Sequence, residues 1–496
     1  MVLYVRMFVM MLISFFTAGI TLNALGVEDY GINNVVGGLV AMFSLLSNSL
    51  TGAASRFITF ALGKGDLDYQ KRVFSTAVNI HIVLAIVVVL AIETVGVWFL
   101  NNRLNIPPDR LYAANWVLQC SVISFALGLF SVPYNSSIYA HERMSAFAWF
   151  TIYDAVVKLI VVASIYYYGG DKLILFAIIS LIPSVIKQFI FWVYCKRNFL
   201  ECEYNFQLDR GLFKEMFSFS IWNFIGCTAG LLKDQGVNIL INIFTSPVVN
   251  AARGIAMQLN GIISQFSGNF MGALMPQITK YYASRELKEM YKLMFRGTRF
   301  SYYIFMFIAI PVFFEIETIL QIWLGQVPEH TVLFTRLALL LSLLEMLSSV
   351  LITAQNATGC IRNYQLVVGT LLLLNFPLSY LMLYLGFMPE ITLVVALFVG
   401  VICLVARLCF LRHTIKLSVQ DYVLQVIGNT FIVSLLSAFV PAVCYYFVEH
   451  HIVRFFSVCI SSVLMSGVVI YFVGCNKFER NMVREYAIKV KNKMLG

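Results

Sequence analysis

Residues 221–267, IWNFIGCTAGLLKDQGVNILINIFTSPVVNAARGIAMQLNGIISQFS, read as two apolar helices joined by the link Thr245-Ser246-Pro247. The first carries Lys233 and Asp234 in the middle of a run otherwise apolar enough to cross a bilayer; the second opens with Asn250 and Arg253. At helical spacing Asn223, Cys227, Gly230, Asp234, Asn238 and Asn242 share one face of the first helix. Asn250, Arg253, Asn260, Ser264 and Ser267 share one face of the second. A charge at bilayer depth costs about 2.5–3.5 kcal/mol on the insertion scale. These side chains are therefore expected to face a wet cavity or one another rather than lipid. Gly226, Gly230 and Gly236 bracket the charged pair and mark where a break in the helix is expected, as happens where backbone lines a cavity.

Outward from this stretch, apolar runs of spanning length recur along nearly the whole chain, which is 60% hydrophobic and 12% charged over 496 residues. That composition belongs to an all-α polytopic membrane protein and excludes a soluble globular domain. Fourteen spans are expected, at 2–24, 35–60, 74–100, 112–139, 146–168, 173–195, 215–244, 250–278, 298–324, 332–355, 363–386, 391–411, 423–448 and 453–474. Residues 2–25 read as the first span, because they are too long for a cleavable signal peptide and lack a small-residue cleavage site. The ten cysteines show no paired spacing and read as small apolar packing residues.

The net charge of +10 is explained by where the basic residues fall, not by nucleic-acid binding. Alternate loops on one side, with the tail at 477–493, hold 24 Lys and Arg; the opposite set holds six. Both termini are thus expected in the cytoplasm, with anionic membrane lipids attracted as a by-product and a basic amphipathic tail lying on the inner surface. Five further basic residues, Arg6, Arg56, Lys158, Lys187 and Lys233, fall within spans, against the acidic Asp154, Asp234 and Glu345. The membrane interior is expected to be net basic.

A shift of 220 residues, without gaps, superposes Ser44, Ser47, Gly52, Ala53, Ile58, Thr59 and Leu67 on Ser264, Ser267, Gly272, Ala273, Ile278, Thr279 and Leu287. Six spans separate the copies, and an even number keeps them parallel in the membrane. The expected organisation is an N-lobe at 1–195, a cytoplasmic linker at 196–214, a C-lobe at 215–411, two appended spans at 412–474 and a basic tail at 475–496.

Arg6, Arg56 and Arg253 are the strongest candidates for meeting an anion, since a guanidinium at depth is costly unless it does so or lines water. Lys158 and Lys233 join them as a candidate cationic cavity. Lys158 lies four residues from Asp154 and equally suits a helical ion pair. Asp234, on the polar stripe, is a candidate for a coupling cation or proton, with Lys233 turned about 100° away toward a neighbouring helix. Asp154 and Glu345 are further ion-coupling candidates, and Asn223, Asn238, Asn260 and Ser264 are candidate cavity-lining groups. The Ser/Thr/Gly stripes of spans 1 and 2 read as close helix packing ahead of any functional role. Pro133, Pro183, Pro276, Pro311, Pro377 and Pro441 fall in or at the ends of spans and suit kinked helices. The sequence holds no Walker motif, phosphate loop or nucleophile elbow, and no ligand-spaced histidines.

The run LNALGVEDYGINNVVGG at 22–38 resembles the first external loop and second helix of Wzx-like polysaccharide flippases. These belong to the multidrug/oligosaccharidyl-lipid/polysaccharide (MOP) exporter superfamily. AASRF at 53–57 with ALGKG at 61–65, and AARGIA at 251–256, are similar to the end of that family's second span and the start of its eighth. The resemblance implies a MATE-like or MurJ-like fold of two six-helix lobes, with a central cavity between them and two extra C-terminal helices. It implies a flippase that moves a polyprenyl-diphosphate-linked oligosaccharide across the bacterial inner membrane for O-antigen, lipopolysaccharide, capsule or exopolysaccharide synthesis. Arg6, Arg56 and Arg253 would then meet the diphosphate. No cofactor is implied beyond coupling to H+ or Na+, and a polysaccharide polymerase and a chain-length regulator are the implied protein partners. A cation-coupled multidrug exporter is the competing expectation, and a membrane glycan polymerase or ligase the more distant one.

Overall fold

In a computed structural model the described residues are 13, 21, 24–26, 29, 32–33, 36–37, 40, 43–103, 106–165, 169–206, 209–245, 247–324, 327–481 and 484–485. Arg6, most of the first span and most of the basic tail lie outside them. The described chain is helical with no strand. Its helices are α1 (Ser44–Lys64), α2 (Leu67–Ala91), α3 (Val97–Arg103), α4 (Leu111–Ala140), α5 (Met144–Ile165), α6 (Lys172–Asn198), α7 (Arg210–Phe244) and α8 (Pro247–Ala283). They continue as α9 (Leu287–Leu324), α10 (Thr331–Thr358), α11 (Arg362–Leu373), α12 (Asn375–Tyr384), α13 (Ile391–Thr414), α14 (Val419–Tyr422), α15 (Asn429–Phe447) and α16 (His451–Val469).

Ten stretches among the described residues are long and apolar enough to cross a membrane. Of the expected spans outside that set, the second is described chiefly as α1, and the seventh and eighth are α7 and α8. Those two helices run 35 and 37 residues without interruption, more than 50 Å at about 1.5 Å per residue. The expected break around Gly226–Gly236 is therefore absent: the backbone stays helical, and the cavity described below is lined by polar and apolar side chains. A break does occur elsewhere, at Leu374, where α11 ends and α12 begins ahead of Pro377.

The contact pattern divides the chain into two compact units, Met1–Thr228 with Thr279–Arg285, and Ala229–Ile278 with Glu286–Gly496. Each has its own apolar core. The first centres on Ile32, Val36, Ala114, Leu118 and Leu173. The second centres on Ala252, Ala256, Phe334, Ala338 and Leu393. These five pairs are related by the same 220-residue shift. Volume is exchanged within the set: Ile32, Val36 and Leu118 give way to three alanines, while Ala114 gives way to Phe334. Cores tolerate such swaps when total volume is kept. The repeat thus extends from the short segment where identities survive to packing positions where none but leucine does.

Helix ends follow local chemistry. Asp66 and Asp171 cap α2 and α6 by accepting from Tyr69 N and from Leu173 N and Ile174 N. Asp171 also accepts from Arg110 Nη1 at 2.9 Å, and Arg110 Nε donates to Asp29 at 2.8 Å. The hydrogen bonds to Asp29 push the Arg110 pKa further above its ordinary value.

Candidate functional site

Within the second unit, α7, α8, α10, α12 and α13 enclose a cavity of about 300 Å³ lined by Lys233, Asp234, Asn238, Arg253, Asn260 and Glu345, with Ser342, Asn375 and Thr392 beside them. Arg253 sits at the start of α8 and is buried. Its Nη1 donates to Asn238 Oδ1 and, at 3.4 Å, to the Asp234 carbonyl, so two turns of α7 hold the guanidinium. Its Nε is buried with no hydrogen-bond partner among the described residues, and so is Asn260 Oδ1. Buried polar groups are rarely left in that state. A donor and an acceptor of this kind on one helix suit a polar guest.

Lys233 Nζ bonds Glu345 Oε1 at 2.9 Å, and both side chains line the same cavity as Asp234. Lys233 thus turns to a neighbouring helix, α10, as expected, but it also shares a cavity with Asp234, which the 100° between them was expected to prevent. The long, flexible lysine stem spans the roughly 100° that separates adjacent helical residues and brings the ammonium back to the cavity wall. The Asp234 carboxylate has no ion-pair partner within 4 Å among the described residues. With Lys233 and Arg253 set against Asp234 and Glu345, the lining is formally balanced, so this cavity is not the net-basic room expected from the sequence.

The other candidates lie elsewhere. Arg56 is in the first unit, on α1, with its guanidinium 4.4, 4.7 and 5.7 Å from the rings of Phe57, Phe60 and Phe219. Asn223 also belongs to that unit and donates to the Ser49 carbonyl at 3.0 Å, which makes it a packing group. Ser264 is half-buried on α8 and outside the cavity lining. Asp154 is paired with Lys187 at 3.3 Å, across two helices. The Lys158 side chain, like Arg6, falls outside the described residues. The sequence reading passed over Asn375 and Thr392. Their signals were local: Asn375 follows the α11–α12 interruption, and Thr392 sits in the first turn of α13, donating to Pro389 O at 2.9 Å.

The first unit holds a second cavity, of about 360 Å³, lined by Asn33, Gly37, Ser121, Ser124, Phe125 and Ser180 among others. The 220-residue shift carries Asn33, Gly37, Val40, Ser121, Phe125 and Phe176 onto Arg253, Met257, Asn260, Leu341, Glu345 and Ala396, all of which line the charged cavity. The two cavities therefore occupy the same place in the repeat.

Residues 1–282 match the family model described as polysaccharide biosynthesis protein. The chain belongs to that family. No curated protein matches it. Among solved structures, this polysaccharide biosynthesis protein is similar to MATE in complex with MaD3S, with a TM-score of 0.71 at 11% identity over 84% of this chain and 96% of that one. It is also similar to a multidrug resistance MATE family transporter of the MOP superfamily in an outward-facing conformation, with a TM-score of 0.68 at 12% identity over 84% and 95%. A third is a Pyrococcus furiosus MOP superfamily transporter, with a TM-score of 0.68 at 11% identity over 84% and 95%, whose reported reverse polarity of the binding pocket suggests a different function. The family member is thus a multi-pass membrane protein with the fold of MOP-superfamily transporters.

Proposed function

We propose that the protein is a flippase for polyprenyl-diphosphate-linked oligosaccharide, moving it by alternating access across a bacterial inner membrane for surface polysaccharide synthesis. A diphosphate joined to a glycan cannot cross hydrocarbon unaided, whereas its polyprenyl tail stays in lipid. The observation that carries the reading is Arg253: a guanidinium buried in a cavity, its Nε unpartnered among the described residues, in a member of a polysaccharide-biosynthesis family. Such an edge matches an anionic phosphate oxygen. Asp234, beside it and without an ion-pair partner among the described residues, is the candidate group for coupling to H+ or Na+. Pocket polarity already distinguishes one transporter of this fold in the comparison. A multidrug exporter for cationic compounds would have little use for a buried arginine in its cavity.

The test is complementation of a deletion strain. Arg253→Ala is expected to lower surface glycan about ten- to a hundredfold, the range for losing a charge-assisted hydrogen bond, with unchanged protein in the membrane. Lipid-linked oligosaccharide should accumulate on the inner leaflet. Arg253→Lys should recover part of the output, since a point charge replaces a directional donor. Normal glycan display together with an altered drug-susceptibility spectrum in the deletion strain would overturn the reading.

A further inference from the structure

The two repeat-related cavities differ in chemistry, and the difference points to a division of labour. Where the second unit places Arg253 and Glu345, the first places Asn33 and Phe125. No charged residue stands among the described residues lining the first cavity. Its polar groups converge from three directions: Asn33 from just before the second expected span, Ser121 and Ser124 from α4, and Ser180 from α6. Their side chains make no hydrogen bond within the protein among the described residues. Elsewhere on α4, Ser131 donates to the Leu127 carbonyl at 3.0 Å and Ser137 to the Pro133 carbonyl at 3.1 Å, while Ser136, away from the cavity, is unpartnered among the described residues. Helical serines commonly back-bond in this way. Three serines and an asparagine that do not, gathered around one cavity, retain their capacity for a guest.

The guest's chemistry follows from the lining. An ion taken from water into this setting would need an opposite charge, and none is offered. An apolar guest would leave four hydrogen-bonding groups unsatisfied. A neutral polyol satisfies them, because hydroxyls on both sides donate and accept. The Phe125 and Phe176 rings add an apolar wall of the kind that binding pockets combine with a few placed polar groups, and the volume lies in the usual range for small-molecule sites, about 300–1,000 Å³. We infer that the first unit's cavity, lined by Asn33, Ser121, Ser124, Phe125 and Ser180, is a subsite for an uncharged sugar ring of the transported glycan. This rests on the flippase reading and adds a glycan-recognising role for the unit that lacks the charged cavity.

The experiment compares binding of two defined lipids to the purified full-length protein in nanodiscs. One is bare polyprenyl diphosphate and the other carries a single uncharged hexose. The wild type should prefer the glycosylated lipid. Replacing Ser124 and Ser180 with Ala should cut that preference about fivefold or more while leaving affinity for the bare diphosphate unchanged. Ser121→Trp, which fills the cavity, should do the same, and Ser124→Thr, which keeps the hydroxyl, should retain the preference and reports on folding. A preference that survives both the double alanine variant and Ser121→Trp overturns the subsite, and so does equal wild-type binding of the two lipids. Failure of the wild type to bind either lipid would instead overturn the cargo class, and the subsite with it.

Discussion

Glu315 has no exposed surface, and its carboxylate accepts from Arg454 Nε at 3.0 Å and from Thr318 Oγ1 at 2.7 Å. Arg454 in turn stacks over Tyr445 at 4.8 Å. This pair was not legible in the sequence, because 139 residues separate the partners and Glu315, although inside the expected span 298–324, was not among the acidic residues read within spans. The same holds for Lys233 and Glu345: both were visible as charges at depth, but not as mutual partners. Breaking a buried pair leaves one charge uncompensated, at a cost of about 3–5 kcal/mol, while replacing both partners with apolar groups is often neutral. Glu315→Ala should therefore lower the thermal unfolding midpoint of the purified protein by several degrees, and the double change Glu315→Met with Arg454→Met should restore most of it. A midpoint unmoved by Glu315→Ala would show that the pair contributes little.

Helices meet closely where side chains are smallest. At Gly63 an added Cβ would lie 2.7 Å from Ala283 Cβ and 3.0 Å from the Lys280 backbone, none of which can rotate away. At Gly52 the obstacle is Asn223 Nδ2 at 2.9 Å, the end of a side chain that can move after giving up its bond to Ser49. Gly63→Ala should thus destabilise by about 1–3 kcal/mol, the usual range for overpacking, and Gly52→Ala by less. Thermal melts of the two variants side by side check the order, and Gly52→Ala as the worse of the two would contradict it. Gly52 was legible only as a repeat position shared with Gly272, and Gly63 lies beyond the expected second span. The polar stripe of α7 was also legible, but only its C-terminal part proved to be cavity wall: Asp234 and Asn238 face the cavity, whereas Asn223 is spent on a packing bond. A helical period tells which residues share a face; it does not tell where along that face the neighbour changes.

For the molecule as a whole, the legible feature was the 220-residue repeat, and it reaches further than its identities do. Spacing carried five core positions and six cavity positions from one unit to the other, because a shared backbone geometry preserves location while side chains diverge. Charge was harder to read. Charges summed along the sequence point to a basic interior, yet the charged cavity is lined by two cations and two carboxylates. Its net charge therefore turns on Asp234. With Asp234 ionised the four groups cancel; with Asp234 neutral one positive charge remains, and an anionic diphosphate is held more firmly. Wild-type affinity for polyprenyl diphosphate should rise as pH falls and Asp234 takes up a proton. Asp234→Asn fixes the positive state, so the variant should bind about tenfold tighter than wild type at about pH 8.5, the scale of one charge acting across roughly 10 Å at an effective dielectric near 20. At low pH the advantage should shrink toward nothing, and taking the ratio of variant to wild type cancels the ligand's own titration. Turnover of the variant should fall, because release requires the negative charge that the amide lacks. A variant-to-wild-type ratio that stays constant from about pH 5.5 to about pH 8.5 would remove Asp234 from any coupling role.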